Sequence, residues 1–193
     1  MSCGLTAGWN DRICTNGKGG IKSVLFFTKE QISGTPTKVG NEVTAMTVTG
    51  DTYLYKLKRD LSNATYPPRV NDNGALYYEE TLTIVLNNDT KELRAEINLL
   101  AQNELVAVVE KRNGSIIVLG LDQGLQMREA SEAGTGTAVS DRNGHTLVFT
   151  SMEDNEVQTW QQRFIPPCWL KQLNQTDSLI KKARFTLCLF LYL

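Results

Sequence analysis

Residues 115–152 read SIIVLGLDQGLQMREASEAGTGTAVSDRNGHTLVFTSM, and the fold class turns on how that stretch is parsed. Two apolar runs, Ile116-Ile117-Val118-Leu119 and Leu147-Val148-Phe149, bracket a middle part broken by Gly120, Gly124, Gly134, Gly136 and Gly144. Short runs rich in β-branched residues and separated by glycines are strands that turn back sharply, because glycine reaches backbone angles at which a branched residue is strained. Asp141-Arg142-Asn143-Gly144 predicts a hairpin turn of type I′, whose central residues need the left-handed conformation that asparagine and glycine tolerate. The glycines lack the following Lys-Ser/Thr of a phosphate loop, so they shape the fold.

The same signals continue on both sides. Residues 21–27 (IKSVLFF) predict the first strand and residues 34–41 (GTPTKVGN) a loop. Residues 43–50 (VTAMTVTG) and 52–58 (TYLYKLK) alternate like half-buried strands, with Tyr53, Tyr55 and Leu57 on one face and Leu54, Lys56 and Lys58 on the other. Residues 60–75 (DLSNATYPPRVNDNGA) carry Pro67, Pro68 and the turn formers Asn71, Asp72, Asn73 and Gly74. They are expected to form a long projecting loop that joins this strand to its hairpin partner, residues 77–86, where Leu82, Ile84 and Leu86 align.

Residues 87–104 predict the one helix, with Asp89 as cap, Glu92 completing a capping box, and Leu93, Ile97 and Leu100 on the stripe that lies on a sheet. Strands at 105–111 and 115–121 follow, joined by the turn Arg112-Asn113-Gly114, and residues 156–164 predict the last strand of the body. Ile165-Pro166-Pro167-Cys168 ends the pattern. The chain therefore divides into an arm (1–20), a β domain (21–165) and an extension (166–193).

At 193 residues, 41% hydrophobic and 21% charged, the chain has enough apolar content for one sizeable core. A net charge of -1 argues against a dedicated nucleic-acid or anionic-membrane binder, which needs a basic face. The basic residues Lys171, Lys181, Lys182 and Arg184 read as a solvated face. Cys3, Cys14, Cys168 and Cys188 form no close pair and His145 is the single histidine, so no metal site is expected; the thiols are free, or Cys3 and Cys14 bridge. Residues 1–10 lack the basic start and apolar centre of a signal peptide, so the sequons at Asn63, Asn88, Asn113 and Asn174 are expected to carry no glycan. The apolar run 185–193 (FTLCLFLYL) is far short of the roughly 20 residues that span a bilayer as a helix, and no membrane anchor is expected. Such a run buries itself in its own protein or against a neighbouring subunit. The glycine-rich arm, with Gly4, Gly8, Gly17, Gly19 and Gly20, has little to bury and is expected to gain order across another chain.

Candidate catalytic groups are sparse. Ser140, Asp141 and His145 crowd one turn and cannot easily converge as nucleophile, orienter and base. Gly17-Lys18-Gly19-Gly20 lacks a phosphate loop's flanking pattern. Glu79 and Glu80, or Glu129 and Glu132, are read as exposed glutamates, since neighbours on a strand point to opposite faces. The tyrosines Tyr53, Tyr55, Tyr77 and Tyr78 read as cross-strand pairs within a hairpin. Neither an enzyme nor a cofactor is expected.

The order of helix, hairpin, GLDQGL (120–125) and TGTAVSDRNGHTLVFTSMEDN (135–155), with CGLTAG (3–8) and GGIK (19–22) before it, resembles tail tube and related ring-forming virion proteins of tailed bacteriophages, especially those of Bacteroidetes-type bacteria. The resemblance spans residues 3–160. It implies a mainly β fold, a sandwich or barrel of tail-tube type with one flanking helix. It also implies a virion protein, assembled in the host cytoplasm, whose copies close into a hexameric or larger ring of the tail or neck. Partners would be adjacent tail, neck or portal proteins, with DNA passing through the lumen without sequence-specific binding. Residues 60–75 would contact the adjoining ring, and 43–58 and 77–86 would contribute to the inner barrel. Tyr66, Pro67, Pro68 and Arg69 are therefore expected at inter-subunit contacts. Phe185, Leu187, Leu189 and Phe190, in the apolar run, are expected there too. A β-sandwich binding module of a phage fibre, recognising carbohydrate or host surface through an exposed aromatic strip, is the alternative.

Overall fold

A computed structural model describes residues 18–128, 131–135, 142–160 and 182–185. Along the chain run β1 (Ile21–Thr28), a 3-10 turn (Lys29–Gln31), β2 (Ile32–Val39), β3 (Glu42–Val48) and β4 (Gly50–Lys56). The short β5 (Asn63–Thr65) and β6 (Pro68–Val70) precede the long β7 (Leu76–Asn87) and the helix α1 (Lys91–Gln102). Then come β8 (Leu105–Lys111), β9 (Ile116–Leu119), β10 (Gln126–Met127), β11 (Glu132–Gly134), β12 (Gly144–Glu153), β13 (Gln158–Trp160) and β14 (Lys182–Phe185).

These strands form two sheets. One has the order β14-β4-β1-β8-β9-β13-β3-β2; in the other β7 and β12 pair at the centre, flanked by β5 and β6 on β7 and by β10 and β11 on β12. The fold is mainly β, two sheets with one helix, a β-sandwich with one flanking helix of the class that the resemblance implies.

Alternation decides what each face buries. Val24 and Phe26 of β1, Tyr55 of β4, Ala107 and Val109 of β8, and Ile117 and Leu119 of β9 meet Leu82, Ile84, Leu147 and Phe149 of the second sheet. Leu100 and Ile97 of α1 close the open side of this core. Phe26 lies at its centre, edge-on to Tyr55 at 5.4 Å and against Phe149 at 5.3 Å between ring centroids. Such pairs add about 0.5–1.5 kcal/mol beyond burial alone. The opposite face of β1, β8 and β9, carrying Leu25, Phe27, Val106, Val108, Ile116 and Val118, packs on Val43 and Trp160 with Ile32, Met46 and Val48. Those partners belong to the far end of the same sheet, so the sheet rolls over on itself. Gln31 closes the roll by donating from Nε2 to the Asp51 carbonyl at 3.0 Å while its own carbonyl accepts from Thr49 N at 2.8 Å.

Several expectations are corrected. The 143–144 pair is not the centre of a type I′ turn: Gly144 already pairs with Gly134, so the connection between β11 and β12 is longer, and its residues 136–141 lie outside the described residues. Glycine is needed at 144 for close approach, since a Cβ there would stand 2.1 Å from the Leu86 carbonyl oxygen. In the Arg112-Asn113-Gly114 turn, Gly114 N donates to the Lys111 carbonyl and only the glycine is left-handed (φ 91°), the three-residue type I arrangement with a bulge. Residues 34–39 are strand, not loop: Pro36 is tolerated because β2 is an edge strand with a bulge between Ser33 and Thr37. Residues 60–75 do not project as one loop, because β5 and β6 lie along β7. Strands β4 and β7 are not hairpin partners but sit in different sheets. Tyr53 and Tyr55 therefore do not pair across a hairpin with Tyr77 and Tyr78.

The helix starts later than 87, because Asn87 still pairs with Gly144 and Asn88 turns the chain at φ 68°. Thr90, not Asp89, is the cap: its Oγ1 accepts from Leu93 N at 3.2 Å. At the other end Asn103 Nδ2 donates to the Leu99 carbonyl at 2.7 Å.

Candidate functional site

Two buried carboxylates stand where the sheets meet. Glu80 occupies the β7 face of Leu82 and Ile84, and Glu153 the β12 face of Leu147 and Phe149; they are 2% and 3% exposed. This corrects the reading of Glu80 as an exposed glutamate. The signal was available in its parity: a charged residue on the apolar side of an alternating strand must find donors inside. Here they are the main-chain N–H groups of the 120–125 loop. Gly120 N donates to Glu80 Oε2 at 2.7 Å, Asp122 N to Glu153 Oε2 at 3.2 Å, and Gln123 N to Glu153 Oε1 at 3.1 Å. Ser151 Oγ adds a 2.7 Å bond to Glu153 Oε1.

The loop is shaped for this. Gly120 is left-handed at φ 70°, and a Cβ there would meet Leu125 N at 2.7 Å. Gly124 N donates back to the Gly120 carbonyl, and Leu125 exchanges two main-chain bonds with Leu105. The Asp122 side chain accepts from Lys38 Nζ of β2 at 2.9 Å and from Asn155 Nδ2 at 3.1 Å. One loop thus ties the rolled sheet to the β7–β12 pair.

Burial pushes the Glu80 carboxyl up to about 7; the Gly120 N–H pulls it down, and the charges of Glu153 and Asp122 add to the rise. For Asp122 burial also acts upward, but the bonds from Lys38 and Asn155 outweigh it and hold the carboxyl below its ordinary value.

A second polar group fastens the helix. His145 Nε2 lies 2.9 Å from Asp89 Oδ1, and Arg94 donates to both Asp89 oxygens. Hydrogen bonds from Arg94 and then His145 hold the Asp89 carboxyl well below the usual carboxylate range. His145 is buried, so the group joins β12 to the start of α1. Ser140 and Asp141 lie outside the described residues. Tyr55 donates to Glu96 Oε1 at 3.3 Å, and burial, with the Glu96 charge, raises its hydroxyl.

The expected contact residues separate. Tyr66 is half-buried against the core, with Lys111 Nζ 3.0 Å from its hydroxyl and over its ring. The Pro67 carbonyl accepts from Glu79 N at 3.1 Å. Pro68 and Arg69 are exposed on β6, and Arg69 pairs with Glu79 at 3.0 Å, a surface ion pair worth about 0–1 kcal/mol. Sequence reasoning passed over the apolar residues next to them. Val70 and Leu76 pair across the end of the β6–β7 hairpin and are 67% and 53% exposed. The backbone of Phe185 ends β14, paired with Gly50; Leu187, Leu189 and Phe190 lie outside the described residues.

Lys18, Gly19 and Gly20 are exposed and Glu132 is exposed on β11, while Gly17, Glu129 and all four cysteines lie outside the described residues. Among the described residues no group of three or more His, Cys, Asp or Glu side chains could hold a metal ion, and no helix is long and apolar enough to cross a membrane. Comparison of the chain with protein-family models, curated proteins and solved structures finds no match.

Proposed function

We propose that the chain is a structural subunit of a phage virion, whose copies join into a ring of the tail tube or of the conduit between portal and tail. The observation that carries this reading is the β6–β7 hairpin, which holds Val70 and Leu76 out to solvent at its end. An apolar pair exposed on a hairpin offers a contact to a partner, and Val70 falls in the stretch 60–75 to which the tail-tube resemblance assigns the contact with the adjoining ring, with Leu76 directly after it. The resemblance itself supplies the ring, the virion and the passage of DNA.

Strand addition at β2 is the weaker route to such a ring, because a bulge, Pro36 and Lys38 blunt that edge. On this reading side-chain contacts through the hairpin contribute to assembly. A net charge of -1 suits a conduit through which DNA slides, since each phosphate contact adds affinity by counterion release. The fibre-module alternative needs an exposed aromatic strip. Among the described residues Tyr55 is buried, Tyr53 and Tyr66 pack against the core, and Tyr77 and Tyr78 are half-buried, so none of these tyrosines offers such a strip.

Negative-stain electron microscopy of the purified full-length protein tests the proposal. Discs or tubes with a central hole are the expected result. Dispersed single subunits at high concentration would overturn it.

A further inference from the structure

The loop 120–125 is bound to the second sheet in an unusual way: two carboxylates from neighbouring strands, each almost wholly buried, reach the N–H groups of one short turn. Among the described residues neither Glu80 nor Glu153 has a cation as a bonded partner. Lys38, which reaches the same loop, is bound to Asp122. Two buried carboxylates close enough to repel, with main-chain N–H groups and one hydroxyl as donors, cannot both ionise without cost.

We infer that the 120–125 loop is a proton-dependent clasp between the two sheets, closed while one carboxyl of the Glu80–Glu153 pair is neutral and loosened when both are ionised. In the closed state Glu80 is the neutral member, as the donor sets of the two carboxyls indicate. Among the described residues Glu153 holds three donors, namely Asp122 N, Gln123 N and Ser151 Oγ, whereas Glu80 holds Gly120 N alone. Neutral Glu80 still accepts the Gly120 bond through its carbonyl oxygen. Ionised, it is a buried anion with a single donor, and its route to relief is to move toward water and release Gly120.

The groups facing Glu80 from the elements around it are Glu153 on β12 and Asp122 on the loop, the latter answered by Lys38 of β2 and, at longer range, by Lys29. Tyr78 shares the β7 face of Glu80 by alternation, and Glu79 points the other way to Arg69. The direction of the Glu80 shift agrees with this arrangement. Nothing in the clasp depends on ring formation.

Amide hydrogen exchange of the full chain, read by mass spectrometry at pH 5.5 and pH 8 and corrected for intrinsic chemistry, tests the inference. Exchange in peptides covering 120–125 is expected to rise by about tenfold relative to peptides covering 106–109, the change that one unit of pKa represents. In Glu80→Gln, whose side-chain oxygen can still accept from Gly120, the rise is expected to vanish. Equal protection of the loop at both pH values in the wild type, or the same rise in Glu80→Gln, would overturn it. Should the variant not fold, the carboxyl carbon of Glu80 followed by NMR in the wild-type chain decides: a midpoint above about 6 supports the clasp, and one below about 6 refutes it.

Discussion

The rolled sheet and the β7–β12 pair solve burial in opposite ways. Strand β8 reads LVAVVEK and its first five residues are all buried, because one face meets the second sheet and the other meets the sheet's own far end. Strand β12 reads GHTLVFTSME and alternates: Leu147, Phe149, Ser151 and Glu153 are buried while Thr146, Val148 and Thr150 are half-buried and Met152 is exposed. A continuous apolar run and an alternating one are both strands, and the difference between them reports how many faces are covered. The exception on the alternating strands is as instructive as the rule, since Glu80 and Glu153 sit on the buried side and bind a loop instead of packing in the core.

If the shared core is what couples the sheets, Phe149→Ala should have the largest effect. About 3–5 kcal/mol of stability is expected to go, read by urea unfolding, because the cavity opens against Phe26 of the other sheet. A matching change on the outer face, Thr83→Ala, should stay within about 0.5 kcal/mol, and equal losses at the two sites would erase the distinction.

The next effect is a pH dependence. The folded-state Glu80 carboxyl stands at about 7 against an ordinary 4.5, so the folded chain holds a proton that the unfolded chain releases. Its contribution is fully present below 4.5 and is lost as pH rises through 7, by about 3 kcal/mol in total. Asp89 acts in a different window: its lowered carboxyl contributes stability above 3.8 that is lost only as pH falls below that value. Thermal denaturation from pH 4.5 to 8 should therefore show a falling midpoint in the wild type and a flatter one in Glu80→Gln.

Smaller again is Gly144→Ala. The added methyl would press on the Leu86 carbonyl and force β12 from β7, with about 1–3 kcal/mol expected in the same unfolding assay. Replacing Val70 and Leu76 together by serine should change subunit stability least, within about 0.5 kcal/mol, while reducing assembly measured by light scattering. Full assembly of that variant would remove the hairpin from the interface.

Much of the architecture was legible in local pattern. The parity of Tyr53, Tyr55 and Leu57, the row Leu82, Ile84, Leu86 and the helical stripe Leu93, Ile97, Leu100 all lie where alternation and the helical period put them. What local pattern lacks is partnership. Residues 63–65 and 68–70 look like loop by composition, and become strands only because β7 offers them an edge. Strands β4 and β7 follow one another like a hairpin, yet the core pulls them into separate sheets. Asp89 is a good cap by residue type, but His145, 56 positions away, and Arg94 occupy its carboxylate. The clasp was legible only as two glutamates on the apolar parity of their strands. The donors that satisfy them come from a loop 40 residues beyond Glu80.

Sedimentation velocity of the full-length protein over a rising concentration series bears most directly on the proposed role. A subunit that works as part of a ring should give a discrete species of six or more copies, reduced when Val70 and Leu76 are both serine. A single boundary at the mass of one chain across the whole series would contradict it.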